Sequence, residues 1–260
     1  GRVTSGALAV GEAVTLSVDY SRRAPIAKNH TTTHMLNFAL KGARDARRPR
    51  WPSTASDDAP LPPFSVCAGA LGQACEQRGA LYDDEKLRFD FAYGKPLTAA
   101  ELQDTQDRVN AQISAALPVA ALDSPLEAAK ALNGLRAVFG EQYPDPVRVV
   151  SVGGPGVQTM LDAPSNDEWA KLAIEFCGGT HVANSKEART FALLSEEGLG
   201  RGVRRIVGVT FSKAEAAFAE AAKLDARLQA AGSLAGDALA AEASELTQVL
   251  SSAVVPAADR

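Results

Sequence analysis

The chain is sparing with the residues that usually carry chemistry. Three of its 260 residues are cysteine and three are histidine. Three cysteines do not make a disulfide framework, and Cys67 and Cys75, beside an irregular stretch, read as reduced thiols suited to a reducing compartment. No run reaches the roughly 20 apolar residues that a membrane helix needs. A secretory signal pattern is missing from the start. The first residue is Gly1, not Met, so the chain is expected to be a fragment or a processed product, with any targeting segment out of view. There is no excess of positive charge: 27 Lys and Arg against 31 Asp and Glu give a net charge of −4. Global nucleic-acid binding is therefore not advertised, although local basic patches remain at residues 44–50 and 201–205. No G-x-G-x-x-G follows a strand-like segment and no P-loop lysine motif occurs, so an ATP site is not expected in these residues.

The scarce residues are concentrated. All three histidines and one cysteine fall in two short segments, His30-Thr31-Thr32-Thr33-His34 and Cys177-Gly178-Gly179-Thr180-His181. Residues four apart on a helix share a face, so His30 and His34 can reach one ion together. Cys177 and His181 have the same spacing, but the glycines between them favour a tight loop. Three imidazoles and one thiolate suit Zn²⁺ in a tetrahedral site. Either pair alone is a weak signal, since paired histidines are often ordinary surface or core residues. The joint case is stronger because no histidine lies outside the two pairs.

Residues 7–19 alternate around a Gly-Glu turn and predict a β-hairpin, readable as the last strands of a barrel (1–22). Residues 26–40 carry the period of an amphipathic helix that holds both His30 and His34. Residues 43–66, rich in proline, arginine and aspartate, read as a flexible surface insertion. Two strands are expected at 77–81 and 87–91, with Leu87, Phe89 and Phe91 on one side and Arg88 and Asp90 on the other. Thr98 with Glu101 predicts a capping-box helix to about Ala115, and Ser124-Pro125 starts another. Tyr143-Pro144-Asp145-Pro146 leads into a strand ending near Val152, followed by a loop over 153–168. Further strands are expected at 174–176, 191–198 and 203–210. From Ser212, a plausible N-cap, the composition turns to Ala, Glu, Leu and Lys. Residues 212–260 read as two helices outside the main domain. Strands and helices that do not strictly alternate argue for an α+β fold.

The segments NHTTTHMLNFAL, QRGALYDDEKLRFDF, AVFGEQYPDPVRVVSVG, EFCGGTHV and GVRRIVGVT occur in that order. They closely resemble the editing domain of alanyl-tRNA synthetase, in a form most like the eukaryotic enzymes, over about residues 3–211. The resemblance implies the second-additional-domain fold shared with threonyl-tRNA synthetase, within a unit spanning 23–211, and makes 212–260 the start of a C-terminal region. It implies hydrolysis of tRNA(Ala) wrongly charged with serine or glycine. It makes His30, His34, Cys177 and His181 the zinc ligands, matches Gln77 to a position that supports editing, and matches Thr33 to the threonine near the amino-acid pocket. The aminoacylation domain, with its ATP and Mg²⁺, is absent from these residues, and the insertion at 43–66 is longer than the family usually carries.

Other residues have two readings. Thr33 is a candidate partner for a serine hydroxyl, or a helix hydroxyl bonding its own backbone. Gln77 orients water or the terminal ribose, or is a plain surface glutamine. Gly178, Gly179, Arg88 and Asp90 are candidates for substrate contact, with a cross-strand ion pair as the alternative for the last two. Arg201, Arg204 and Arg205 are candidates for the tRNA path, or a solvated edge. The expected partner is tRNA(Ala), with no DNA and no membrane, and a homodimer through the C-terminal region is possible on the family pattern. The expected location is cytoplasmic, with mitochondrion or chloroplast as the alternative. A freestanding trans-editing factor and a non-catalytic, zinc-stabilised tRNA-binding module are the competing functions.

Overall fold

The computed structural model describes residues 2–42, 75–138 and 140–260. The expected insertion, its basic start and Cys67 lie outside the described residues. Helix α1 (Tyr20–Gly42) is followed by β1 (Gln77–Tyr82), β2 (Leu87–Ala92), α2 (Ala99–Ser114), β3 (Val119–Ser124), α3 (Leu126–Lys130) and β4 (Leu135–Arg136). Then come β5 (Val147–Val152), α4 (Val157–Asp162), β6 (Ala173–Phe176), β7 (Phe191–Gly200), β8 (Val203–Thr210), α5 (Phe211–Ala231) and α6 (Gly236–Ser252). The fold is α+β. One sheet runs β1-β2-β8-β7 and is antiparallel throughout. The other runs β3-β5-β6-β4, with β4 and β6 parallel. Among the described residues no helix is long and apolar enough to cross a membrane.

Helix α1 touches both sheets, through β1, β2 and β8 on one side and β6 on the other, and also packs on α2. Its start is capped by Asp19, whose carboxylate accepts from the amides of Ser21 at 3.0 Å and Arg22 at 3.4 Å. Met35, Leu36 and Phe38 join Leu87, Phe89, Phe91, Phe191 and Ile206 in the larger core. A second core lies under the other sheet around Val147, Val149, Met160, Trp169 and Ile174. The expected capping box forms: Thr98 accepts from the Glu101 amide and the Glu101 carboxylate accepts from Thr98.

Several expectations are corrected. Residues 7–19 form no strand; they are exposed, and α1 begins at Tyr20, ahead of Pro25. A two-stranded ribbon with nothing packed against it is marginal in water, and alternation alone does not supply a partner. The amphipathic reading of α1 also fails, because every residue from 29 to 40 is buried. Its polar positions face partners inside the protein, not solvent. Asn29 donates to the Asp83 carbonyl at 2.8 Å and accepts from Thr210 at 2.8 Å, and Asn37 donates to Glu175 at 2.8 Å. Strand β3 and helix α4, the latter inside the expected loop, were not anticipated. Ser212 does not cap α5; Thr210 occupies that position, and its hydroxyl is given to Asn29 and makes no capping bond to the helix. Nor is the tail detached, since Ala214 and Ala217 of α5 pack on Ala192 and Val209 of the sheet.

Candidate metal centre and hydrolytic site

His30 and His34 occupy successive turns of α1, and β6 delivers Cys177 beside them. The Cys177 amide donates to the Arg148 carbonyl at 3.0 Å, which ties the start of the loop to β5. His181 follows after the two glycines. The candidate ligand atoms of His30, His34, Cys177 and His181 all lie within 4.8 Å of one another. Ring centroids are 5.1 Å apart for His30 and His34, 4.3 Å for His30 and His181, and 5.0 Å for His34 and His181.

Each imidazole is held by its outer nitrogen. His30 Nδ1 lies 3.3 Å from the Thr180 carbonyl. His34 Nδ1 lies 2.6 Å from Glu175 Oε2, and His181 Nδ1 lies 3.2 Å from Thr31 Oγ1. This leaves the three Nε2 atoms for the centre, with Cys177 Sγ 3.2 Å from His30 Nε2. His34 Nε2 and His181 Nε2 are buried without a hydrogen-bond partner. Buried polar atoms are almost always satisfied, so two orphaned ring nitrogens aimed at a thiol and a third imidazole fit a metal ion. The carboxylate on His34 Nδ1 is the usual outer support of a metal-bound histidine.

The loop requires its second glycine. A Cβ on Gly179 would collide with His30 Cε1. His30 cannot retreat easily, because its other face stacks on Tyr82 with centroids 3.8 Å apart.

Electrostatics divide the imidazoles. Burial, then the charge of His34, pushes His30 down to about 3. Burial, then the charges of His34 and His30, pushes His181 down to about 2. Both are therefore neutral at physiological pH, the form that binds metal. Burial also acts to lower His34, but the Glu175 carboxylate outweighs it and, with help from Cys177, raises His34 to about 10.

His30, His34 and Cys177 of the centre line a cavity of about 780 Å³, as do Thr33, Gln77 and Gly178, while His181 stands behind its wall. Thr33 Oγ1 donates to the His30 carbonyl at 2.7 Å, so its donor is used within the helix and its oxygen remains as an acceptor. Gln77 stands at the start of β1 on the cavity wall.

The remaining candidates are elsewhere. Asp90 takes two bonds from Arg205, at 2.8 and 2.9 Å, across the β2–β8 pair. Arg88 lies 3.7 Å from the same carboxylate. Neither Arg88 nor Asp90 lines the cavity, so the cross-strand ion pair replaces the reading of substrate contact. Arg204 is bound by Glu196. The charges of Arg204 and Arg205 are thus compensated within the sheet. Arg201 is exposed in the β7–β8 turn with a positive φ of 50°.

Sequence reasoning missed Glu175, Asn37, Tyr82 and two arginines of the cavity wall, Arg136 and Arg148. The EF pair before Cys177 placed Glu175 near the loop, but only the fold brings it to His34.

Residues 147–207 match the family described as the Threonyl and Alanyl tRNA synthetase second additional domain. The chain is 45% identical over 253 residues to the cytoplasmic alanine–tRNA ligase of Dictyostelium discoideum, covering 97% of this chain and 24% of that protein. It is 43% identical over 234 residues to the mitochondrial alanine–tRNA ligase of Saccharomyces cerevisiae, covering 90% of this chain and 21% of that protein. With the alanine–tRNA ligase of Candida albicans it shares 41% identity over 210 residues, or 81% of this chain and 19% of the relative. The chain thus spans a quarter or less of the length of these relatives. The match extends across both sheets and both halves of the histidine–cysteine cluster, so that nearly the whole chain is similar to one portion of the alanine–tRNA ligases.

Proposed function

We propose that this chain is the editing portion of an alanine–tRNA ligase and hydrolyses the ester of tRNA(Ala) charged with serine or glycine. The observation that carries the reading is the convergence of three imidazole Nε2 atoms and one thiol beside an open cavity that His30, His34 and Cys177 line, with every Nδ1 engaged from behind. In this reading residues 23–211 form the editing unit and 212–260 begin a C-terminal region. The names of the relatives, one cytoplasmic and one mitochondrial, support a site of action in either compartment.

The donor set, three nitrogens and a sulfur, favours zinc. Bound there, zinc would supply a Lewis-acid centre able to polarise an ester carbonyl, lower the pKa of water toward ~7, or hold the substrate's amino group. If all four side chains ligate, no position is open. We therefore assign three firm ligands and one exchangeable one, with positioning of the substrate as the main role.

The chain's own residues supply the rest. An aminoacyl ester is already activated, so orientation matters more than a strong nucleophile. Gln77, on the cavity wall, orients the water or the terminal ribose. Thr33 presents an acceptor oxygen to the hydroxyl of serine, and alanine offers no donor to meet it. One net hydrogen bond is worth roughly 0.5–1.5 kcal/mol, so Thr33 supplies part of the discrimination and not all of it.

A second reading has one observation behind it. A four-ligand shell, two of whose ring nitrogens are fully buried, is also what a structural zinc site looks like. Deacylation of Ser-tRNA(Ala) by this chain, compared with Cys177→Ala at matched folding, separates the two. Hydrolysis that is lost in Cys177→Ala with circular dichroism and melting retained is the expected result. A folded, metal-loaded chain with no hydrolysis would leave the structural reading standing.

A further inference from the structure

Two positive side chains of the cavity wall have no ion-pair partner among the described residues. Arg136 is on β4 and Arg148 on β5, and these are the two strands that flank β6. In register, Arg136 lies opposite Glu175. The Arg148 carbonyl holds the Cys177 amide at 3.0 Å. The two arginines therefore bracket the strand that delivers the thiol.

Their situations differ. Arg148 is exposed. The Arg136 guanidinium lies 4.8 Å from the centroid of the Phe38 ring, and its Nε and Nη1 are buried with no hydrogen-bond acceptor. A buried guanidinium without a full set of acceptors is costly, and burial lowers its pKa to about 10 despite Glu175. Carboxylates also face the cavity, and none of them forms an ion pair with either arginine. Glu175 is taken by His34 and Asn37, Glu76 by Arg78 at 3.1 Å, and Glu141 accepts from Tyr143 at 3.3 Å. Asp123 is the cross-strand neighbour of Arg148, without an ion pair.

We propose that Arg136 and Arg148 form an anion subsite that receives the phosphate on the 5′ side of the substrate's terminal nucleoside, fixing the ester against the histidine–cysteine wall. This rests on the hydrolytic reading above. The aminoacyl ester is cationic at its amine and neutral at its carbonyl and ribose, so the phosphodiester is the only anion that end of the substrate brings. Arginine matches phosphate through several N–H donors in a planar fork. With the phosphate held at one end and the amino acid at the other, the reacting bond is located between two fixed points.

The probe is adenosine 5′-monophosphate against adenosine, titrated by calorimetry into the zinc-loaded chain. Wild type is expected to bind the monophosphate roughly ten- to a hundredfold more tightly, the range of a charge-assisted hydrogen bond. Arg148→Gln and Arg136→Gln should each bring the monophosphate toward the affinity of adenosine, leaving adenosine itself unchanged. Arg148 is exposed, so its variant is a test that does not depend on the core around Arg136 surviving. Equal affinities in wild type, no binding of either compound, or variants that weaken both compounds alike would overturn the subsite. Absence of Ser-tRNA(Ala) hydrolysis with the phosphate preference intact would instead remove the hydrolytic reading and leave the subsite in place.

Discussion

Helices α1 and α6 are both built from mixtures of apolar and polar residues, and the fold treats them in opposite ways. From 29 to 40 every residue of α1 is buried, whereas α6 has no buried residue at all. In α6 the polar side chains are solvated or locally paired, as Glu242 is with Arg227 at 2.8 Å. In α1 the same kinds of residue have fixed partners: His34 on Glu175, Thr31 beside His181, Asn37 on Glu175. A polar helix face is a solvent face only when nothing across from it can answer its donors and acceptors. Where something can, burial turns it into a site.

Substitutions can break this contrast, and the largest effect is expected on the loop that faces α1. Gly179→Ala must displace His30, which is pinned against Tyr82. Its zinc affinity, measured by competition with a chelator, should fall by more than the roughly 10–100-fold that loss of an outer partner costs. Glu175→Gln keeps the shape and removes the charge behind His34, so its affinity should fall within that roughly 10–100-fold range. An affinity unchanged in Glu175→Gln would mean that the carboxylate does not support the centre.

Proton linkage gives a third test, on protein freed of metal by chelation. His30 and His181 have folded values of about 3 and about 2, below the ordinary 6.5. The unfolded chain takes up their protons first, so stability should fall as pH drops below 6.5. His34 is raised to about 10, so its contribution is fully present below 6.5 and is lost as pH rises through 10. Denaturant melts should therefore place the stability maximum near pH 6.5, with slopes of up to about 1.4 kcal/mol per pH unit for each group. Reloading with zinc, which needs all three imidazoles and the thiol deprotonated, should remove the alkaline limb and steepen the acid limb.

Two smaller effects complete the contrast. Thr33→Val should narrow the ratio of Ser-tRNA(Ala) to Ala-tRNA(Ala) hydrolysis by about two- to tenfold, since one hydrogen bond of roughly 0.5–1.5 kcal/mol is lost; an unchanged ratio would remove Thr33 from specificity. On α6, the exposed Ser244→Ala should change stability by less than about 0.5 kcal/mol and leave zinc affinity untouched.

The sequence carried the strands and the metal-type residues well, for a physical reason in each case. Segments 87–91 and 203–210 alternate or run β-branched, which one sheet face dictates locally, and β2 and β8 fall there. His30, His34, Cys177 and His181 stand out because the chain holds no other histidine. The failures that bear on the site are non-local. Whether 7–19 forms strands depends on a partner, and whether α1's polar residues meet water depends on β6 and the 177–181 loop. Arg204 and Arg205 look like a basic patch in one dimension, but the β2–β8 register and the neighbouring β7 strand place Asp90 and Glu196 beside them. Arg136 and Arg148 gave no signal, because only the order β5-β6-β4 sets them around Cys177.

The most direct test of the central claim is the metal's own coordination, read by X-ray absorption at the zinc edge on the loaded chain. The account predicts one zinc per chain with nitrogen neighbours at roughly 2.0–2.1 Å and a single sulfur at roughly 2.3 Å, the sulfur shell vanishing in Cys177→Ala. A chain that takes up no zinc, or a first shell of oxygen and nitrogen without sulfur, would contradict it.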